Sequence, residues 1–270
     1  MEMSDGEEFR WLERGEGEAV VLLHGLMGQM HHWEPVLEGA GERCRPIALS
    51  LPIFDPELRE ASVRGLVGHV LRFLDALEIP RAVIGGNSLG GHVALRLALG
   101  YPDRVSGLVL TGSSGLFERS FTASVPHRPD GAYVRRKMEE IFFDPALVTD
   151  AWVENVRRLV TTPATARRIL RFARAARRDN LEAELGAIAV PTLLVWGRED
   201  RITPPEVGER FRAGIRDAQL RYLARCGHAP MLERPGDFAA ALAEWLDGAR
   251  SRRPVGVPAL DGVRVPGGIR

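Results

Sequence analysis

Six short apolar runs, each closed by a turn signal, alternate along this chain with stretches whose apolar residues recur at helical spacing. Parallel strands need a long crossover between them, normally a helix. The alternation therefore predicts βα units wound into an α/β fold, a mainly parallel central sheet with helices on both faces. Ala19-Val20-Val21-Leu22-Leu23 is apolar throughout, as a strand covered on both faces must be, and stops at His24-Gly25. Residues 46–51, 82–86, 105–111, 192–196 and 218–223 supply the other strands. Residues 61–77 carry Val63, Leu66, Val67, Val70, Leu71, Leu74 and Leu77 on one helical face. Residues 89–99 read as the next helix and 235–246 as the last, with Pro235 suited to its first turn.

Between residues 112 and 191 the strand rhythm stops. Residues 133–143, 151–160, 164–178 and 180–188 read as helices instead. A helical block set between two core strands predicts an insertion over the sheet's carboxyl edge. The expected organisation is a core of residues 1–112 and 191–250, a helical cap or lid over 113–190, and a loosely ordered tail at 251–270, rich in Pro, Gly and Arg. A length of 270 residues suits one such unit better than two independent domains.

Acidic and basic side chains balance at 36 each, so neither nucleic acid nor an anionic membrane surface is the expected partner. Lys137 is the only lysine. Cys44 and Cys226 are too few for a disulfide framework or a zinc cluster and fit a reducing compartment. No run approaches the roughly 18 apolar residues that a membrane helix needs, and residues 1–18 hold no apolar signal-peptide core. The expectation is a soluble, cytoplasmic protein that acts on a small molecule, with no metal or organic cofactor implied. Assembly state leaves no trace in the sequence.

Gly86-Asn87-Ser88-Leu89-Gly90-Gly91 lies where a buried strand passes into a helix. In that setting Gly-x-Ser-x-Gly makes so tight a turn that the serine backbone is strained and only glycine fits two residues to either side. The hydroxyl then projects from the strand's end, with helix N–H groups aimed at it. The plain rival is a serine that merely caps the helix. Asn87, the variable position of the motif, is assigned no task.

A serine hydroxyl is a weak nucleophile until a base takes its proton. Among seven histidines, His228 in Cys226-Gly227-His228-Ala229-Pro230 follows the last strand, where a loop can lower it onto the serine. His24, His31 and His32 lie in the loop after the first buried strand; His69, His92 and His127 fall in helices or the inserted block. A base of this kind needs an acid to hold its tautomer. Trp196-Gly197-Arg198-Glu199-Asp200-Arg201 offers two, and Asp200 is preferred to Glu199 because a glycine turn plus two residues suits the shorter reach. The rival here is a solvated cluster with Arg198 and Arg201. Attack on a carbonyl also requires two donors for the oxyanion, each worth about 3–4 kcal/mol. The backbone N–H groups of Leu89 and Leu26 are the candidates, with His24 bracing the Leu26 loop rather than carrying a proton.

His24-Gly25, Gly-Asn-Ser-Leu-Gly-Gly at 86–91, Pro102-Asp103-Arg104-Val105, Trp-Gly-x-x-Asp at 196–200 and Gly-His-Ala-Pro at 227–230 together resemble the α/β-hydrolase superfamily over residues 19–248. The resemblance implies the α/β-hydrolase fold with a helical cap after the sixth strand, and a catalytic triad in the chain order Ser88, Asp200, His228. The elbow itself is similar to that of meta-cleavage-product hydrolases, which split carbon–carbon bonds of vinylogous diketones. Ala229, however, stands where that group commonly has tryptophan, and Leu26-Met27-Gly28 replaces its Ser/Gly/Pro-rich stretch. The second strand also runs into Ser50-Leu51-Pro52-Ile53-Phe54-Asp55 rather than Asp-x-Pro-Gly-x-Gly. The first reading is thus a serine esterase that cleaves a small apolar ester through an acyl-enzyme, with carbon–carbon hydrolysis as the alternative. A non-catalytic ligand receptor on the same fold is the alternative of another class. Phe142, Phe143, Trp152 and Phe172 either line an apolar pocket or form the inserted block's own core.

Overall fold

The computed structural model describes residues 3–4, 7–55, 58, 60–118 and 129–252. In chain order the elements are β1 (Met3–Ser4), β2 (Glu7–Glu8), β3 (Trp11–Glu13), β4 (Ala19–Leu23), α1 (Glu34–Ala40), β5 (Arg45–Leu49), α2 (Val63–Ala76), β6 (Ala82–Asn87), α3 (Leu89–Gly100) and β7 (Val105–Thr111). There follow α4 (Gly131–Glu139), α5 (Asp150–Thr161), α6 (Pro163–Arg178), β8 (Thr192–Gly197), α7 (Pro205–Gly214), β9 (Ala218–Leu223), α8 (Pro230–Glu233) and α9 (Pro235–Arg252). Strands β3 to β9 form one sheet in the order β3-β5-β4-β6-β7-β8-β9. Every pairing in it is parallel except that of β3 with β5.

The all-apolar run in β4 is explained by what covers it. Val21 and Leu23 belong to the core on the face that α2, α3 and α7 cover, whereas Val20 and Leu22 belong to the core on the face of α1 and α9, since successive strand side chains point to opposite faces. From β4 the chain moves to one neighbour, β5, then returns to the other side at β6 and continues outward. That reversal opens a crevice at the carboxyl ends of β4 and β6, the usual ligand position in open α/β sheets.

The expected strand at 46–51 ends early, at Leu49. Beyond it the Ser50 N–H turns to the Arg10 carbonyl and the Leu51 N–H to the His24 ring. Residues 180–188 form a short 3-10 helix over Glu182–Ala187. Between β7 and β8 lie α4, α5 and α6, and this block is tied to loops at the sheet's carboxyl edge. Arg168 of α6 donates to the carbonyls of Ile53 (2.6 Å) and Leu58 (3.1 Å) in the loop after β5. Phe142 and Phe172 are buried core residues, Phe143 is exposed beneath the Arg225 guanidinium, and Trp152 is half-buried against Phe142. His127 and the tail from residue 253 lie outside the described residues. Among the described residues, no helix is long and apolar enough to cross a membrane.

Candidate active site

Ser88 joins β6 to α3 with φ +53 and ψ −117, one of three non-glycine residues with positive φ among those described. Such a conformation costs about 1–3 kcal/mol and persists only when its surroundings enforce it. Here they do. The Ser88 N–H donates to Thr111 O (3.1 Å), and its carbonyl accepts from the backbone N–H groups of Ser114 (3.1 Å) and His92 (3.2 Å). A Cβ at Gly86 would stand 2.4 Å from the Gly90 carbonyl carbon, and one at Gly90 would stand 2.3 Å from Leu23 O. The turn closes against β4 only because both are glycine. The Ser88 side chain makes no capping bond to α3, so helix capping does not account for the strain. The side chain is instead partly exposed at the crevice.

His228 and Asp200 meet as a buried pair, Nδ1 donating to Oδ2 at 2.9 Å. Asp200 leaves β8 after Gly197 and turns inward. Its Oδ1 accepts the N–H groups of Ile202 (2.8 Å) and Thr203 (2.9 Å), and its Oδ2 accepts the Thr203 hydroxyl (2.8 Å). It is 4% exposed, which rules out a solvated cluster with Arg198 and Arg201. Glu199 points elsewhere, accepting the Cys226 N–H at 2.9 Å. Ser88 and His228 flank the same dipeptide at the end of β7. Thr111 O holds the Ser88 N–H, while a Cβ at Gly112 would stand 2.7 Å from Nδ1 of His228.

Burial by itself would lower the His228 pKa, but the Asp200 charge and hydrogen bond outweigh it and the net shift is upward. For Asp200 burial pushes up, and the charge and hydrogen bond of His228, with the two hydrogen bonds from Thr203, bring the net shift down. A base must be neutral to accept a proton. With His228 as that base, kcat/KM should rise through one ionisation whose midpoint lies above the ordinary imidazole value of about 6.5. A profile flat from about pH 5 to 9, measured under kcat/KM conditions, would contradict imidazole as the base.

The loop after β4 runs beside the serine. A Cβ at Gly25 would lie 3.2 Å from that of Ser88. A turn closed by Gly28 N–H to Gly25 O (3.0 Å) leaves the Leu26 N–H outside its own hydrogen bond. Leu89, first residue of α3, likewise has no intrahelical acceptor for its N–H. His24 braces this loop as expected. The Leu51 N–H donates to its Nε2 (2.9 Å), so the proton sits on Nδ1 and is donated to Gly25 O (2.8 Å). Burial lowers its pKa to about 4, so it stays neutral.

Asn87, given no task from sequence, ties the two halves of the site together. Its Nδ2 donates to Thr111 O (3.1 Å) and to the backbone carbonyl of His228 (2.8 Å). Only tertiary packing reveals this, because His228 lies 141 residues away in the chain. The remaining described histidines are engaged elsewhere: His92 faces Asp179 (3.1 Å), His69 packs on Phe9, and His31 and His32 stack near Trp152. The pKa of the Cys226 thiol, two residues before His228, is pushed far up by burial and by Glu233, so the group stays a protonated, unreactive thiol.

A family model described as the α/β-hydrolase family matches residues 20–241. The chain belongs to the α/β-hydrolase family. Its fold is that of the family, and the sequence resemblance to meta-cleavage-product hydrolases is matched by relatives bearing such names. A 2-hydroxy-6-oxononadienedioate/2-hydroxy-6-oxononatrienedioate hydrolase of Paraburkholderia xenovorans (strain LB400) is 32% identical over 272 aligned positions, covering 90% of this chain and 92% of that protein. Among solved structures, a meta-cleavage product hydrolase from Pseudomonas fluorescens IP01 (CumD) superposes with a TM-score of 0.76 at 26% identity, over 90% of this chain and 96% of that one. A thermophilic esterase from Thermogutta terrifontis gives 0.72 at 25% identity, over 89% and 93%. The expectation that ranked ester cleavage above carbon–carbon cleavage is thereby reversed: the relatives favour the second.

Proposed function

We propose that this hydrolase works through Ser88 as nucleophile, His228 as general base and acid, and Asp200 as the residue that holds the imidazole. The observation that carries this reading is a strained, uncapped serine at a strand's end beside a buried imidazole–carboxylate pair. Ser88 attacks a carbonyl while His228 takes its proton, and the oxyanion rests on the N–H groups of Leu26 and Leu89. Residues 113–190 serve as a cap over this centre, and the cytoplasm is the compartment that fits two cysteines without a disulfide. The substrate class is a vinylogous diketone. Collapse of the tetrahedral species breaks the carbon–carbon bond, because the departing carbon delocalises its charge into the conjugated carbonyl, and His228 supplies the proton it needs. Water, deprotonated by His228, then attacks the acyl-Ser88 ester, and the proton returns to the Ser88 oxygen as the acid leaves.

The names of the relatives support that substrate class. One observation favours the second reading, cleavage of a small apolar ester. Ala229, buried beside His228, stands where the carbon–carbon group commonly has tryptophan. Steady-state kinetics on both classes tests the choice. A 2-hydroxy-6-oxodienoate should be turned over with kcat/KM at least about 100-fold above that of p-nitrophenyl butyrate. The opposite ranking would establish the esterase.

A further inference from the structure

All three backbone N–H groups of the tripeptide that carries the base are taken, two of them by one side chain. Glu233, the last residue of α8, accepts the N–H groups of Gly227 (2.8 Å) and Ala229 (3.4 Å) on Oε1. Between them the His228 N–H donates to Ile141 O (2.7 Å). The second carboxylate oxygen, Oε2, accepts the N–H of Phe143 (2.7 Å), in the segment that leaves α4. Segment 141–143 comes this close only because residue 227 is glycine, since a Cβ there would stand 2.5 Å from Ile141 O.

We infer that Glu233 is a positioning residue, whose two oxygens fasten the His228 turn to the helical block so that seating the block and orienting the base are one event. This rests on the reading of His228 as the base. The block cannot lift at Phe143 without loosening the carboxylate that also holds residues 227 and 229. Asn87 grips the same turn from the opposite side through His228 O, so the ties that move with the block are the Glu233 carboxylate and the Ile141 carbonyl. Even half-buried, a carboxylate is costly to retain, and its burial raises the Glu233 pKa. It is suited to the task because it offers two acceptor oxygens to donors that converge from two directions.

Glu233→Gln is nearly isosteric but turns an NH2 toward one of those donors, so one tie is lost. The readout is the rate at which a fluorophosphonate labels Ser88, which needs an oriented base and no particular substrate. The variant should label about 10- to 100-fold more slowly than the parent. The charged groups facing His228 are Asp200, Glu118 and Glu233, while Asp200 and the neutral Cys226 thiol face Glu233. Removing one anion should therefore also move the labelling midpoint to lower pH. Phe73→Leu truncates a buried ring that packs on Phe9 and Trp11 of the sheet's far edge, and it serves as a stability control. It should lower Tm at least as much yet label within about twofold of the parent. An unchanged rate in Glu233→Gln, or an equal loss in Phe73→Leu, would overturn the inference.

Should Glu233→Gln fail to fold, amide exchange of the wild type decides. Gly227, Ala229 and Phe143 should open together, with protection factors within about tenfold of one another. A Phe143 amide far less protected than the other two would refute the shared tie. A folded wild type that takes no label would instead sink the serine-nucleophile reading, and amide exchange alone would then judge the Glu233 tie.

Discussion

Ser88→Ala should lower kcat/KM by about four to six orders of magnitude and leave Tm within a few degrees of the parent. The two halves of that expectation have separate causes. Alanine keeps the Cβ and meets the same positive φ, so the strain at the elbow is unchanged. The backbone bonds of residue 88 to Thr111, Ser114 and His92 are untouched, and no capping bond is lost. What disappears is the oxygen proposed to form the acyl bond. Any residual rate would come from water attacking a carbonyl polarised by the Leu26 and Leu89 N–H groups. Steady-state kinetics and a thermal melt on the same preparation check both halves. Turnover retained within about tenfold would assign the chemistry to another group.

Asp200→Asn should cost about four orders of magnitude in kcat, with little change in KM. The hydrogen-bond pattern fixes which way the new amide turns. Oδ1 accepts two backbone N–H groups, from Ile202 and Thr203, and these cannot become acceptors. The amide oxygen must stay there, so the NH2 takes the Oδ2 position facing His228 Nδ1 and the Thr203 hydroxyl. Against an N–H donor, Nδ1 has to give up its proton, which moves to Nε2. The ring nitrogen left for the serine then carries a hydrogen and cannot accept another. Glu199 offers no rescue, since its carboxylate is committed to the Cys226 N–H. A loss below about tenfold would mean that tautomer control lies elsewhere.

How much of this was visible in the sequence depended on whether the cause was local. The strands β4, β6, β7 and β8 are covered on both faces, and an unbroken apolar run records that directly. The elbow was equally legible, because the approach of Gly90 to Leu23 and of Gly86 to Gly90 excludes every other residue. Edge strand β3 was missed: three half-buried residues, Trp11, Leu12 and Glu13, carry no periodicity to read. Helix α1 contains Pro35 and Gly39, and α7 buries only Val207, Gly208 and Phe211, so their helical state owes more to packing than to pattern. Asn87, Ser114 and Glu233 were invisible as contributors to the site because their partners are backbone groups brought in by tertiary structure. The relatives back the alternative substrate class better than the one ranked first, for a related reason. Ala229 alone weighs little against whole-chain similarity to proteins named as meta-cleavage product hydrolases.

Covalent capture tests the hydroxyl–imidazole–carboxylate succession most directly. The folded protein is incubated with a fluorophosphonate, digested, and the adduct located by peptide mass spectrometry. A single modification on Ser88, forming faster as pH rises through the His228 ionisation, is the result expected. A folded protein that takes up no label, or takes it up at another residue, would contradict the assignment.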